Sequence, residues 1–189
     1  MKNIAVLASG SGSNAENLYD YFRDKTFAKV AKIYTNKANA GVIDRAVRLN
    51  IPVQIFTKQQ LVEGVLTKQL VRDGIDVIVL AGFLQLIPKN MLDLFAGRIV
   101  NIHPSLLPNY GGKGMFGMKV HEAVIQNAEQ KSGITIHLVN AEYDKGEILF
   151  QANVDIEPGW SPEDLGRQIH LLEYKHFPTV VEAFIQTLD

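Results

Sequence analysis

The chain has 189 residues, 47% of them hydrophobic, and 19 Lys and Arg against 20 Asp and Glu give a formal net charge of −1. That length suits one domain over 1–189 whose stability rests on packing. The lack of cysteine excludes a disulfide framework, a thiolate zinc site and a cysteine nucleophile. Balanced charge without like-charge blocks argues against nucleic acid or an anionic membrane as partner, and no apolar run reaches the ~18 residues of a bilayer span or makes a signal sequence, so a cytoplasmic protein is expected.

Apolar runs alternate with helix-period segments from the first residue. This is the pattern of an α/β, Rossmann-like doubly wound sheet, mostly parallel, with helices on both faces and a mixed C-terminal part ending in a helix. Ile4, Ala5, Val6 and Leu7 make the first predicted strand, residues 9–14 a small-residue loop and residues 15–22 a short helix. A second strand is expected at 30–35, a helix at 42–49, a brief third strand at 53–55 and one helix over 59–72. The continuous apolar run at 77–81 suits a central strand covered on both faces. Another short strand follows at 99–102, then a Pro- and Gly-dense stretch over 104–117, long enough without periodicity to suggest a functional loop. Strands at 134–139 and 148–152 are joined across Tyr143-Asp144-Lys145-Gly146 as a hairpin. Ser161-Pro162-Glu163-Asp164 starts the last helix, expected to break near Pro178, and Trp160 before it is read as a packing residue.

Gly10-Ser11-Gly12-Ser13-Asn14-Ala15 follows a strand and opens a helix, so backbone amides and the helix dipole converge as an anion site requires. The spacing satisfies a dinucleotide fingerprint, yet the end of the second strand reads Tyr34-Thr35-Asn36-Lys37, without the acid that holds a ribose. A phosphate monoester fits Ser11, Ser13 and Asn14 better, and a tight turn without ligand is the bland alternative. Asn101 and His103 are two apart on an extended segment and share a side. The one is a fixed donor for an oxyanion, the other a proton carrier near neutral pH, at the carboxyl end of a strand where α/β sheets bind ligands. In isolation His103 reads rather as a structural histidine and Asp144 as an ordinary turn residue. His137 shares a face with Thr135. His170, Glu173 and His176 lack metal-ligand spacing, and no metal is expected.

At these residues the chain resembles the formyltransferases that use 10-formyltetrahydrofolate, and within them the branch formylating glycinamide ribonucleotide in purine biosynthesis. The likeness runs from the Gly10 loop through Leu80-Ala81-Gly82-Phe83 and Asn101-Ile102-His103-Pro104-Ser105-Leu106-Leu107-Pro108 to Ser132-Gly133-Ile134-Thr135-Ile136-His137, Asp144-Lys145-Gly146-Glu147-Ile148 and Glu173. The resemblance implies a catalytic set of Asn101, His103 and Asp144, with Thr135 and His137 supporting it. It implies that Ser11, Gly12, Ser13 and Asn14 hold the substrate phosphate, with Gly82 and Glu173 along its ribose and glycyl amine. The folate co-substrate would lie against Leu84, Gln85, Leu86, Ile87, Val139, Asn140, Ala141 and Glu142. Gln85 stands where many members carry Arg, and the glycine-rich stretch 111–117 replaces a Pro-Gly-Leu-His form.

The chemistry fits the residue types. An amine attacks a formyl carbon, an oxyanion forms, and a proton passes from the amine to the departing folate nitrogen. Asn101 and a protonated His103 can stabilise the oxyanion while Asp144 keeps the imidazolium charged. Partners are then small molecules only, with the protein a monomer or homodimer. The alternatives are hydrolysis of the formyl donor, in a family that usually carries an additional amino-terminal domain for which there is no room before Asn3; an amino-sugar formyltransferase; a dinucleotide-binding Rossmann protein or oxidoreductase; and a non-catalytic phosphosugar binder.

Overall fold

The computed structural model describes residues 1–188. Seven strands form one sheet in the order β3 (Val53–Ile55), β2 (Ala28–Thr35), β1 (Lys2–Leu7), β4 (Val77–Leu80), β5 (Ile99–His103), β6 (Lys131–Leu138) and β7 (Ile148–Asp155). The first five run parallel, and β6 and β7 are antiparallel to their neighbours. All four residues of β4 are buried, as a central strand between two helical layers requires.

One layer packs α1 (Ser13–Phe22), α2 (Val42–Arg48), α6 (Met118–Gln126) and α7 (Pro162–Gln186) on one side of the sheet, with Leu18, Phe22, Ala46, Val124 and Phe177 in its core. On the other side α3 (Lys58–Val62), α4 (Val65–Arg72) and α5 (Lys89–Leu94) bury Leu61, Leu66, Leu70 and Met91. Trp160 packs against the first of these cores. The chain leaves β1 toward β2 on one side and β4 toward β5 on the other. Their carboxyl ends therefore open a crevice where the strand order reverses.

Three details differ from expectation. The helix expected over 59–72 is two helices, because Gly64 between them adopts φ +77, left-handed backbone that a continuing helix cannot contain. Helices α5 and α6 were not foreseen. The last helix does not break at Pro178 but runs unbroken through it, with Pro178 buried. A proline removes the amide that would serve the carbonyl four residues earlier, which is that of Tyr174. Asn17 of α1 supplies the missing donor, its Nδ2 lying 3.1 Å from the Tyr174 oxygen. At its start α7 carries the expected cap, Ser161 and Asp164 bonding each other's backbone amides. Among the described residues no helix is long and apolar enough to cross a membrane.

Candidate active site

The crevice is a cleft of about 910 Å³ whose wall includes the Gly10–Asn14 loop, Gly82, Asn101, His103, Asp144 and Glu173. Distant parts of the sequence thus meet in one volume, of a size that encloses a small-molecule ligand. Ser9 ties the strand ends together. Its amide donates to the Gly82 carbonyl (3.1 Å), its hydroxyl donates to Asn36 Oδ1 (2.7 Å), and the same oxygen accepts from the Leu84 amide (3.4 Å). Asn36, at the position where a dinucleotide site needs an acid, instead anchors this loop. Helix α1 starts at Ser13 with Gly12 as an uncapped N-terminal neighbour, so its first amides face the cleft without a side-chain partner.

On the opposite wall β5 and β6 pair Asn101 with His137 and His103 with Thr135. Cross-strand partners share a face, so four polar side chains cluster while Ile102 and Ile136 turn into the core behind α1 and α7. Thr135 is fully buried and organises the loop after β5: its Oγ1 donates to the Ser105 carbonyl (2.7 Å) and accepts from the Leu107 amide (2.9 Å). His137 Nδ1 is 2.7 Å from the Leu138 carbonyl, which can only accept, so the ring's proton sits there and Nε2 accepts from Asn101 Nδ2 at 3.0 Å. That bond fixes the Asn101 amide and leaves its second N–H free.

His103 is fixed by the same logic. Nε2 lies 2.7 Å from the Tyr110 carbonyl and donates to it, which turns Nδ1 toward Asp144 Oδ2 at 3.6 Å. Asp144 Oδ1 is 3.7 Å from His137 Nε2, and Oδ2 accepts from the Gly112 amide at 2.8 Å. Burial pushes the His103 imidazole below the usual histidine range; Asp144 and the Tyr110 carbonyl oppose this without cancelling it. Burial alone would raise the Asp144 carboxyl, but His137, the His103 charge and the Gly112 amide together hold it below the usual range. At neutral pH the pair is a neutral imidazole beside a carboxylate. This differs from the expectation of a standing imidazolium, because desolvation of a buried ring outweighs one carboxylate at 3.6 Å.

From α7, Glu173 Oε2 accepts from Asn14 Nδ2 at 2.8 Å and stands 3.0 Å from His170 Nδ1, so the helix holds the start of α1 directly. The residues expected against the folate divide. Leu84 lines the cleft and is part-exposed, as is Leu86 outside it. Ile87 is 3% exposed within the second core and Val139 packs against that core, so these two side chains serve packing. Gln85 Oε1 is buried without a partner among the described residues. Asn140 shapes its own loop, donating to the Lys145 carbonyl (2.9 Å) and accepting from the Glu142 amide (2.9 Å), with Ala141 exposed between. His121 of α6 was not foreseen in the site. It is 6% exposed, lines the cleft and has no partner for Nδ1 among the described residues, and burial pushes it below the usual histidine range. Its only sequence signal was the helical spacing of Val120, His121 and Val124.

Residues 2–181 match the formyl transferase family model. The chain is 39% identical to the chloroplastic phosphoribosylglycinamide formyltransferase of Arabidopsis thaliana, with 98% of this chain and 66% of that protein covered. It is 34% identical to phosphoribosylglycinamide formyltransferase of Haemophilus influenzae, covering 98% of this chain and 88% of that protein. It thus spans somewhat under two thirds of the length of the plant relatives, 66% and 61%. Among solved structures, glycinamide ribonucleotide transformylase 1 from Geobacillus kaustophilus superposes with a TM-score of 0.89 at 34% identity, covering 98% of this chain and 99% of that one. The Symbiobacterium toebii enzyme of the same name gives 0.90 at 31% identity, covering 99% and 89%.

Proposed function

The chain belongs to the formyl transferase family, and from that premise we propose that it transfers the formyl group of 10-formyltetrahydrofolate to the primary amine of glycinamide ribonucleotide. The products are formylglycinamide ribonucleotide and tetrahydrofolate. The observation that carries this reading is one cleft holding both an uncapped helix start suited to a phosphate and, across from it, Asn101, His103 and Asp144.

The phosphate docks on the Ser11, Gly12, Ser13 and Asn14 amides, with Gly82 and Glu173 beside the ribose and glycyl amine. The folate enters past Leu84 and the 139–142 loop. As the amine nitrogen bonds to the formyl carbon, the carbonyl electron pair moves onto oxygen, and the free N–H of Asn101 donates to that oxyanion. The proton the amine loses passes to His103 Nδ1, directly or through water, and the Asp144 carboxylate stabilises the charge this creates. When the carbon–folate nitrogen bond breaks, the same proton goes to the folate nitrogen and the oxyanion closes back to a carbonyl. Protons and charge balance over the cycle, and His103 returns neutral.

The test is to incubate the protein with 10-formyltetrahydrofolate, with and without glycinamide ribonucleotide, and follow folate absorbance. Conversion that requires the acceptor supports transfer. Equal conversion without it means hydrolysis of the donor.

A further inference from the structure

We infer that Arg45 is a positioning residue for the phosphate site, holding the Gly10–Gly12 loop so that its amides face the cleft. The inference rests on the phosphate reading above and adds a residue outside the cleft wall to it. The argument comes from where the loop's carbonyls go. The start of α2 takes two of them: the Val42 amide donates to the Gly10 carbonyl at 3.1 Å, and Arg45 Nε donates to the Ser11 carbonyl at 2.9 Å. In a trans peptide the C=O of one residue and the N–H of the next point in opposite directions. Drawing the Gly10 and Ser11 carbonyls onto α2 therefore aims the Ser11 and Gly12 N–H groups away from α2. None of the amides of residues 10–14 donates to another group of the protein among the described residues, and all five residues line the cleft.

The loop is also clamped sterically. Gly12 adopts φ +78, and a Cβ there would lie 2.4 Å from Val42 Cγ2, so backbone rides directly on α2. Of the two contacts orienting the carbonyls, one is a backbone bond that any residue at 42 makes. The other depends on a single side chain.

Arg45 also pairs with Glu16 in the first turn of α1, as does Arg48 (2.6 Å). A carboxylate one turn from a phosphate site would repel the substrate, and the two guanidiniums offset it. Only Arg45 combines that pairing with a bond to the loop. This separates its role from a plain ion pair and supplies a control within the same helix.

The test compares Arg45→Met, Arg45→Lys and Arg48→Met with the unmodified protein, using glycinamide ribonucleotide and glycinamide riboside as acceptors. For Arg45→Met the expected result is a KM for the ribonucleotide raised about tenfold or more, with kcat and the folate KM little changed. The riboside has no phosphate to place, so its kcat/KM should not fall. Arg45→Lys, which keeps a cationic donor, should recover part of the ribonucleotide KM. Arg48→Met removes the same charge from Glu16 but no bond to the loop, so it should raise that KM clearly less than Arg45→Met does. An unchanged ribonucleotide KM in Arg45→Met, or a loss shared equally by riboside and ribonucleotide, overturns the inference. If Arg45→Met does not fold, Arg45→Lys decides on the same criterion, a KM rise confined to the phosphorylated acceptor. An unmodified protein that fails to formylate the ribonucleotide at all counts against the proposed function instead.

Discussion

Asp144 lies between two imidazoles whose far nitrogens are each held by a backbone carbonyl, Tyr110 for His103 and Leu138 for His137. The carbonyls fix both tautomers: the His103 nitrogen turned to Asp144 is open to take a proton, whereas that of His137 already accepts from Asn101. If Asp144 stabilises the charge that His103 gains in transfer, Asp144→Asn should lower turnover about 100-fold or more. Its thermal midpoint should change little, because an amide oxygen can still accept from Gly112. Full turnover in the folded variant would remove Asp144 from the reaction. Because burial depresses the His103 pKa, the acid limb of the kcat profile should lie below 6.5, the ordinary histidine value. Asp144 opposes that depression, so Asp144→Asn should move the limb to still lower pH. A limb at or above 6.5 would contradict the neutral resting state. The pairing of Asn101 with His103 was legible from residue type and from position at a strand end, whereas Asp144, an ordinary turn residue by itself, joined them only through the family resemblance. The protonation state was not legible, since it depends on burial that no local motif encodes.

At the scale of elements, the last helix shows how one chain segment repairs another. Asn17 of α1 serves the Tyr174 carbonyl that Pro178 leaves without an amide. Asn17→Ala should therefore cost about 0.5–1 kcal/mol in denaturant unfolding. In a Pro178→Ala background the backbone amide returns, and the cost of Asn17→Ala should largely vanish. Equal costs in both backgrounds would show that water satisfies the carbonyl. A proline in a sequence reads as a break, and only the packing of α7 on α1 shows why it is not one here. Ser161 with Asp164, by contrast, was legible as a start because the cap is local. Ser161→Ala should lower stability by about 1 kcal/mol, visible as a lower thermal midpoint. Helix α6 escaped notice for the opposite reason: its N-terminal neighbour is Gly117, with no side-chain cap, at the end of a glycine-rich run. With α6 went His121, whose place in the cleft depends on that helix.

For the whole molecule, the doubly wound order follows from alternating strands and helices, and the site lies where that order reverses. Its electrostatics predict how stability varies with pH. His103, His121 and His176 all titrate below their ordinary value in the fold, each through burial first. Groups with depressed pKa values bind fewer protons folded than unfolded. Their contribution is complete above the unfolded value of 6.5 and is lost as pH falls below it. Asp73, Asp144 and Glu16 are held below the carboxylate range despite burial and add a second loss at lower pH, as the medium falls through that range. Calorimetry across a pH series should show the thermal midpoint falling in these two stages. A midpoint constant from neutrality down to the carboxylate range would contradict the histidine part.

A net charge of −1 is not the basic balance expected of a tRNA reader, whereas the helix start in the cleft suits a small phosphorylated acceptor. Supplying 10-formyltetrahydrofolate together with glycinamide ribonucleotide, glycinamide riboside or methionyl-tRNA, at equal enzyme, sets these acceptors side by side. Fast formylation of the ribonucleotide, slow formylation of the riboside and none of the tRNA is the expected result. Comparable rates for riboside and ribonucleotide would contradict the phosphate site, and efficient formylation of the tRNA would contradict the assigned acceptor.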